Sequence, residues 1–184
     1  MIAECSGKLF EFHPLGAGEV RGSFDGGAIT SDGGGLLLRE VEKRSGIVER
    51  FGACFSDYGD AERIEHKVRE LVAQGVYELA LGYEDLNDHD ELRRDAMLAV
   101  LAEKEEPTGE GRVRERERGK ALAGKSTLNR LELRKAKVEE KERYKKIVMD
   151  QAAVDRLLGE VFLESYAEAP QEIVLDRDAT DDPL

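Results

Sequence analysis

The sequence predicts a mostly α-helical region over residues 1–168, with a small β-hairpin near its start, followed by one short strand within residues 169–184. Two observations predict this fold class. In several segments apolar residues recur at steps of three and four, the spacing of helices packed on one face. Near the end, the three residues Ile173–Leu175 are apolar, β-branched at the first two positions and set off by Pro170 and Pro183, which predicts a short buried strand.

Length and composition limit the class of protein. The chain has 184 residues, 40% hydrophobic and 37% charged, which fits one domain, or one small domain and the beginning of another. No apolar run approaches the roughly 20 residues of a membrane span, and the start of the chain lacks the basic and apolar regions of a signal peptide. Cys5 and Cys54 show no metal-binding spacing. We therefore expect a protein of the reducing cytoplasm with no membrane partner.

The first elements are a hairpin and a helix. Lys8–Phe12 and Glu19–Phe24 are short alternating or aromatic segments separated by Pro and Gly, which favours a β-hairpin. A glycine-rich turn then leads into a helical pattern that ends at Gly46. The side chains expected to cap the start of that helix are Thr30, Ser31 or Asp32.

Two further amphipathic helices are predicted in the middle of the chain. Apolar residues from Asp60 to Leu81 recur at helical spacing, and Gly82 is expected to end that helix. Asn87 or Asp88 is expected to cap the next helix, which continues through Leu101.

A basic segment follows. Apolar residues nearly vanish from Glu103 to Gly119, which predicts a surface segment or mobile loop. Between Arg112 and Lys146, 14 Lys and Arg accompany 6 Glu, a net charge of +8, whereas the whole chain carries −12 and the remainder therefore −20. An acidic body with one basic arm favours local phosphate contacts over coating of nucleic acid. The alternative is a solvated charged helix with internal ion pairs.

The run Gly119–Ser126 satisfies the phosphate-loop pattern GxxxxGK[ST]. That loop requires a buried strand before it, so that backbone N–H groups converge on the phosphates. Alternating Arg and Glu precede the run instead, and no nucleotide site is predicted here.

The last part of the chain carries a helix and an acidic cluster. Helical periodicity runs from Val138 to Tyr166, with Asp150 expected to cap its second portion. Alternation along a strand places Asp176 and Asp178 on one face, about 6 to 7 Å apart. Their repulsion is relieved by protonation of one carboxyl or by a hard divalent cation such as Mg²⁺.

Four separated segments carry a resemblance to a known family. These segments are FDGGAITSDGGGLLL (Phe24–Leu38), ALGYEDLNDHD (Ala80–Asp90), LAGKSTLNRLEL (Leu122–Leu133) and IVLDRDATDDPL (Ile173–Leu184). Together they resemble segments of the insertion-sequence DDE transposases, specifically the group-one DDE type known as the insertion-sequence thirteen-eighty family.

The resemblance implies a ribonuclease H-like α/β catalytic domain that binds Mg²⁺ or Mn²⁺ through two Asp and one Glu. On this basis residues 1–168 are a helical, DNA-binding region, and residues 169–184 are the first strand of an incomplete catalytic domain. Asp178 matches the first catalytic acid, with Asp176 as a second candidate. Asp178, Asp176 and Asp181 are the candidate metal ligands.

The resemblance also implies DNA contacts. The segment LAGKSTLNRLEL is similar to a helix entry near bound DNA, and the alternating arginines precede it. The implied partner is the terminal inverted repeat of the element, and the implied location of the protein is the bacterial nucleoid. A homodimer is compatible with the family, although no heptad pattern supports it. The candidate contacts are Arg112, Arg114, Arg116, Arg118, Lys125, Ser126, Thr127, Asn129 and Arg130.

The position of Asp178, six residues before Leu184, leads us to expect an amino-terminal portion of such a transposase. Such a portion would lack the second Asp and the Glu, bind DNA without catalysing strand transfer alone, and hold no metal stably. Two alternatives stay open. The run from Asp176 to Thr180 also resembles the first motif of haloacid-dehalogenase-like phosphatases, with Asp176 as nucleophile and Asp178 as general acid and base. The other alternative is a non-catalytic interaction module.

Overall fold

A computed structural model describes residues 9–23, 32–60, 62, 64–132, 146–168 and 170–174. These residues form seven helices, one short 3-10 turn and two antiparallel strand pairs, a mixed α/β arrangement. In chain order the elements are β1 (Phe10–Leu15), β2 (Gly18–Gly22), α1 (Gly35–Ser45), α2 (Ile47–Gly52), β3 (Phe55–Asp57), α3 (Val68–Ala80), α4 (His89–Leu92), α5 (Ala96–Leu101), the 3-10 turn (Glu115–Glu117), α6 (Lys125–Glu132), β4 (Ile147–Met149) and α7 (Gln151–Glu164).

The predicted hairpin is confirmed, with shifted ends. β1 pairs antiparallel with β2, and Gly16 in the connecting turn has a positive φ of 55°. A buried arginine holds the hairpin against α1. Arg39, only 1% exposed, donates from Nη1 to the carbonyl of His13 at 2.6 Å and from Nη2 to that of Pro14 at 3.0 Å. Its charge is balanced by Glu103, whose Oε1 lies 2.7 Å from Nε.

The end of α1 is predicted correctly, but its cap is not. Gly46 follows the helix in the left-handed conformation, with φ of 63°. At the other end Gly34 is the capping residue and makes no side-chain hydrogen bond. The carboxylate of Asp32 accepts from the Tyr83 hydroxyl at 2.9 Å, so it is engaged elsewhere in the fold. Thr30 and Ser31 lie outside the described residues.

The long helix predicted from Asp60 is wrong in its first two turns. α3 begins at Val68, where Glu70 accepts the backbone N–H of Lys67 at 2.9 Å and fixes the helix start. Upstream, the Asp60 carboxylate accepts the N–H of Glu62 at 3.1 Å, a local turn that competes with helix. The predicted end is confirmed, because α3 ends at Ala80 and Gly82, two positions later, has φ of 94°.

The single helix predicted through Leu101 is also wrong, because the structure divides it into α4 and α5. Asp95 lies at the break in an extended conformation and accepts from the N–H groups of Met97 at 2.7 Å and Leu98 at 3.2 Å. The carbonyl of Arg93 accepts from Leu122 N at 3.1 Å instead of continuing a helix. This hydrogen bond between residues distant in sequence therefore interrupts the helix that the apolar spacing predicts.

The helix predicted from Val138 to Tyr166 is wrong at Ile147–Met149. Ile147–Met149 form β4, which pairs antiparallel with β3, Phe55 opposite Met149 and Asp57 opposite Ile147. Residues 138–145 lie outside the described part. The cap of α7 is predicted correctly, since Asp150 accepts from Ala153 N at 3.0 Å.

The predicted buried terminal strand is not found in its described portion. Ile173 and Val174 have no strand assignment and are 49% and 88% exposed. No strand within the described residues pairs with them, and an apolar run gains strand stability only from such partners. Leu175 and the aspartates after it lie outside the described residues.

The core surrounds α3. One apolar cluster joins α3 to α2, α5 and the segment before α6, a second joins Leu71 to Ala123, Leu128 and Ile147, and a third lies between Cys54 and α7. α3 thus supports both β4 and α6. Within the described residues, no helix is both long and apolar enough to cross a membrane.

Candidate nucleic-acid interface

A groove of about 720 Å³ lies on one side of the molecule, between α6, the β3–β4 pair and the segment before α6. We call that segment, residues 104–120, the arginine loop, and the cavity the arginine groove. The groove lining consists of Asp57, Gly59, Asp60, Ile64, Glu65, His66, Leu71, Asp90, Arg93, Arg114, Arg116, Glu117, Gly124, Ser126, Thr127, Arg130, Lys146 and Ile147.

The arginine loop is a folded loop whose two ends meet. Gly119 N donates to the carbonyl of Gly109 at 3.1 Å, and Gly109 itself has φ of 74°. The guanidinium of Arg112 donates to the carbonyls of Lys120 at 3.1 Å and Ala121 at 2.6 Å. Arg112 is thus engaged inside the protein, while exposed Arg114 and Arg116 line the groove.

α6 forms the opposite wall, and a buried glutamine fixes its start. Gln74 in α3 donates from Nε2 to the carbonyl of Ala123 at 2.9 Å, and its Oε1 accepts from Ala123 N at 3.0 Å. The prediction of a helix entry at this segment is confirmed by α6. As a result Ser126, Thr127 and Arg130 face the groove from the first two turns of the helix.

The remaining predicted DNA contacts lie outside the groove lining. Lys125 Nζ donates to Asn87 Oδ1 at 3.1 Å and lies 3.4 Å from Asp90 Oδ2. Arg118 and Asn129 are exposed on the surface nearby. Of the nine predicted residues, the structure brings together five in one groove, Arg114, Arg116, Ser126, Thr127 and Arg130.

Three basic side chains of the groove lining are missing from the predicted set, namely His66, Arg93 and Lys146. Lys146 is the last residue of the basic segment, and its charge could have identified it as a candidate DNA contact. Arg93 could not be identified from the sequence, because within a continuous helix through Leu101 it looks like any other surface arginine. His66 comes to the groove only through the turn that replaces the first part of the predicted long helix.

Acidic side chains and Arg or Lys side chains are equal in number in the groove lining, but they differ in how many contacts they make within the protein. Three of the acids form local contacts: Asp57 Oδ1 accepts from Gly59 N at 2.7 Å, Asp90 contacts Lys125, and Glu117 Oε2 lies 2.5 Å from Arg93 Nη2. Among the described residues, no carboxylate pairs with Arg114 or Arg130, both of which are exposed. These two guanidinium groups can therefore be offered to an external anion.

A buried polar cluster supports the inner wall. Lys104 Nζ donates to Glu70 Oε2 at 2.5 Å and lies 3.4 Å from His66 Nδ1, and Arg112 Nη2 lies 3.3 Å from His66 Nε2. Burial, together with the charges of Lys104, Arg112 and Arg93, lowers the pKa of His66 to about 3. His66 is thus a neutral group at neutral pH and adds no charge to the groove. Burial also lowers the pKa of Lys104, against the opposing effect of Glu70.

The candidate catalytic and metal-binding residues Asp176, Asp178 and Asp181 lie outside the described residues. Within the described part, no group of three or more His, Cys, Asp or Glu side chains is placed to hold a metal ion. That part alone does not provide a divalent-metal centre, and the roles of the three aspartates stay predictions.

Exposed arginines beside hydroxyl side chains at a helix start are the kind of surface with which proteins contact nucleic-acid phosphates. Comparison with protein families agrees with this class: residues 12–184 match the family model described as transposase DDE domain group 1. Because the match covers nearly the whole chain, this protein belongs to the DDE transposases of that group. No curated protein and no solved structure matches the chain.

Membership has three consequences. The family acts in DNA transposition, its members generally use divalent metal ions, and DNA binding is implied for the chain. The insertion-sequence thirteen-eighty subtype and the ribonuclease H-like topology stay predictions. No finding supports the haloacid-dehalogenase-like alternative for the run around Asp176.

Proposed function

We propose that this chain binds DNA during transposition and that the arginine groove contacts the phosphate backbone. The observation that carries the proposal is the meeting of two separate segments. Arg114 and Arg116 come from the arginine loop and Arg130 comes from α6, and all three line one cavity together with Ser126 and Thr127.

Each of these side chains suits a phosphate oxygen. Guanidinium groups donate in a planar fork that matches phosphate and stay charged at all relevant pH values. Hydroxyl groups of Ser and Thr donate one further hydrogen bond each. Contacts of this kind fix the position and orientation of a protein on DNA without reading its sequence. We propose the terminal inverted repeats of the element as the DNA bound, with base contacts supplied from outside the groove lining.

For catalysis we propose Asp178 as the first acid, with Asp176 and Asp181 beside it as candidate metal ligands. The divalent ion of the family supplies activation of the attacking oxygen in phosphoryl transfer. The proposed role of the described residues is to bind and orient DNA.

Fluorescence anisotropy with labelled duplex DNA tests the binding proposal. The groove variant carries Arg114→Ala, Arg116→Ala and Arg130→Ala. The control variant carries Arg21→Ala, Arg44→Ala and Arg156→Ala, three exposed arginines outside the groove lining. Both variants lower the net charge by the same three units, so the effect of net charge on DNA binding is the same in both.

We expect the groove variant to lose about 10- to 100-fold in affinity at moderate salt, and the control variant to lose a few-fold at most. Equal losses in both variants would contradict the groove as the contact surface. No binding by the unmodified chain at low salt would favour the interaction-module alternative instead.

A further inference from the structure

Two arginines of the groove lining, Arg93 and Arg116, have a carboxylate partner among the described residues. Arg93 is the less exposed of the two. It lies at the break between α4 and α5, with its side chain 19% exposed, and Nη2 is 2.5 Å from Glu117 Oε2. The Nε atom of Arg93 is buried and finds no hydrogen-bond partner among the described residues. The guanidinium is therefore only partly satisfied by the protein.

The partner of Arg93 belongs to the arginine loop. Glu117 is the last residue of the 3-10 turn, its side chain is 22% exposed, and its Oε1 lies 3.6 Å from Arg116 Nε. One carboxylate thus contacts two groove arginines, the inner Arg93 and the outer Arg116. Movement of this single side chain would make both guanidinium groups available.

We propose that Arg93 anchors a phosphodiester subsite in the arginine groove, and that Glu117 occupies this subsite until a DNA phosphate replaces it. The inference rests on the proposed DNA-binding function and deepens it. A carboxylate and a phosphodiester present similar pairs of oxygens to a guanidinium, so one can take the place of the other. The phosphate brings the same charge and, as part of a DNA backbone, further contacts with Arg114 and Arg130.

The fold leaves room for this exchange beside α6. Gly124 precedes the helix, and a Cβ at this position would lie 3.1 Å from Arg93 Nη1 and 3.0 Å from Asp90 Oδ1. The absence of a side chain keeps the space around the guanidinium open. Asp90 is itself engaged, because its Oδ1 lies 3.3 Å from Lys125 N and its Oδ2 lies 3.4 Å from Lys125 Nζ.

A purely structural role for Glu117 predicts the opposite result on mutation. If the carboxylate only holds Arg93 and the arginine loop in place, its loss would loosen the groove and weaken binding. If it competes with phosphate, Glu117→Gln removes the competing charge, keeps the side-chain shape and strengthens binding. The matched control is Glu115→Gln, which makes the same charge change in the same 3-10 turn but outside the groove lining.

The first measurement is a salt titration of duplex DNA binding by the full chain. We expect Glu117→Gln to bind about 3- to 10-fold more tightly than Glu115→Gln, because the same phosphate contact then forms without displacement of a carboxylate. Arg93→Ala should abolish the gain from Glu117→Gln in the double variant. Affinity of Glu117→Gln equal to or below that of Glu115→Gln would overturn the inference.

The second measurement separates this inference from the proposed function. Inorganic phosphate is titrated into Glu117→Gln, and the Nε–H signal of Arg93 is followed by NMR. A phosphate-dependent shift of that signal, greater in Glu117→Gln than in the unmodified chain, supports the subsite even if duplex DNA does not bind. The signal is missing from the spectrum of Arg93→Lys, which assigns it to Arg93. No shift in Glu117→Gln overturns it. Arg93→Gln replaces Arg93→Ala in the DNA assay if the alanine variant does not fold, because it removes the charge and keeps part of the side-chain length.

Discussion

Gln74 and Ala123 are joined by two hydrogen bonds, from the side-chain Nε2 to the carbonyl at 2.9 Å and from the backbone N–H to Oε1 at 3.0 Å. Both residues are buried, Gln74 at 3% exposure and Ala123 at 0%. The pair connects α3 to the residue two positions before α6 and thereby sets where Ser126, Thr127 and Arg130 enter the groove.

Replacement of this glutamine should therefore affect both stability and binding. Gln74→Leu leaves a buried N–H and a buried carbonyl of Ala123 without their partner, at a cost of about 2 to 4 kcal/mol in the free energy of unfolding. Urea denaturation measures this loss. The control Gln151→Leu, at the exposed start of α7, should change stability by less than about 0.5 kcal/mol. Similar effects of both changes would contradict the anchoring role.

A second buried pair lies beneath the same region. Glu78 in α3 is 0% exposed and contacts the imidazole of His89, itself 6% exposed, at the start of α4. His89→Leu removes the partner of a buried carboxylate and should destabilise the chain by about 3 to 5 kcal/mol in urea denaturation. The exposed pair of His13 and Glu40 gives a matched comparison, since His13→Ala should have only a small effect. A small effect of His89→Leu would show that Glu78 is satisfied without it.

The neutral His66 should make stability depend on pH. Its pKa is about 3 in the folded chain against 6.5 as the ordinary value, so between these pH values the unfolded chain binds a proton that the folded chain does not. Stability is fully present above about pH 6.5 and declines as pH falls toward 3, by at most about 1.4 kcal/mol per pH unit from this group. Urea denaturation at several pH values should show a shallower decline for His66→Gln. An identical pH dependence in the variant would contradict the shift.

Gly109 should be essential to the shape of the arginine loop. Its φ is +74°, and an added Cβ would lie 2.4 Å from Lys120 N and 2.6 Å from Ala121 N, which are backbone atoms that cannot easily move. Gly82→Ala is the control, because it has φ of +94° with open space around it and so suffers backbone strain alone, about 1 to 3 kcal/mol. Gly109→Ala should lose more stability than the control and also weaken DNA binding. Equal effects on both properties would show that the close approach is tolerated.

Local signals in the sequence were sufficient for several elements. Gly46 and Gly82 mark helix ends because each adopts a positive φ, and Asp150 caps α7 through a hydrogen bond to a nearby N–H. Such features depend on residues close in sequence. The same holds for the hairpin, whose strands and turn residues lie next to each other in the sequence.

Features that depend on distant contacts were not predictable in this way. Ile147–Met149 continue the helical pattern of the sequence, and they form a strand because they pair with β3. The break before Asp95 depends on the hydrogen bond from Leu122 N to the Arg93 carbonyl. In the groove, composition marked all four alternating arginines equally. Only the folded loop shows that Arg112 is engaged with backbone carbonyls while Arg114 lines the groove.

The salt dependence of DNA binding tests the groove most directly. Each phosphate contact contributes a slope of about −0.9 to the plot of log K against log salt for duplex DNA. If Arg114, Arg116 and Arg130 each contact a phosphate, the groove variant should have a slope shallower than that of the unmodified chain by about 2 to 3, while the control variant keeps the original slope. An unchanged slope in the groove variant would contradict phosphate binding in this groove.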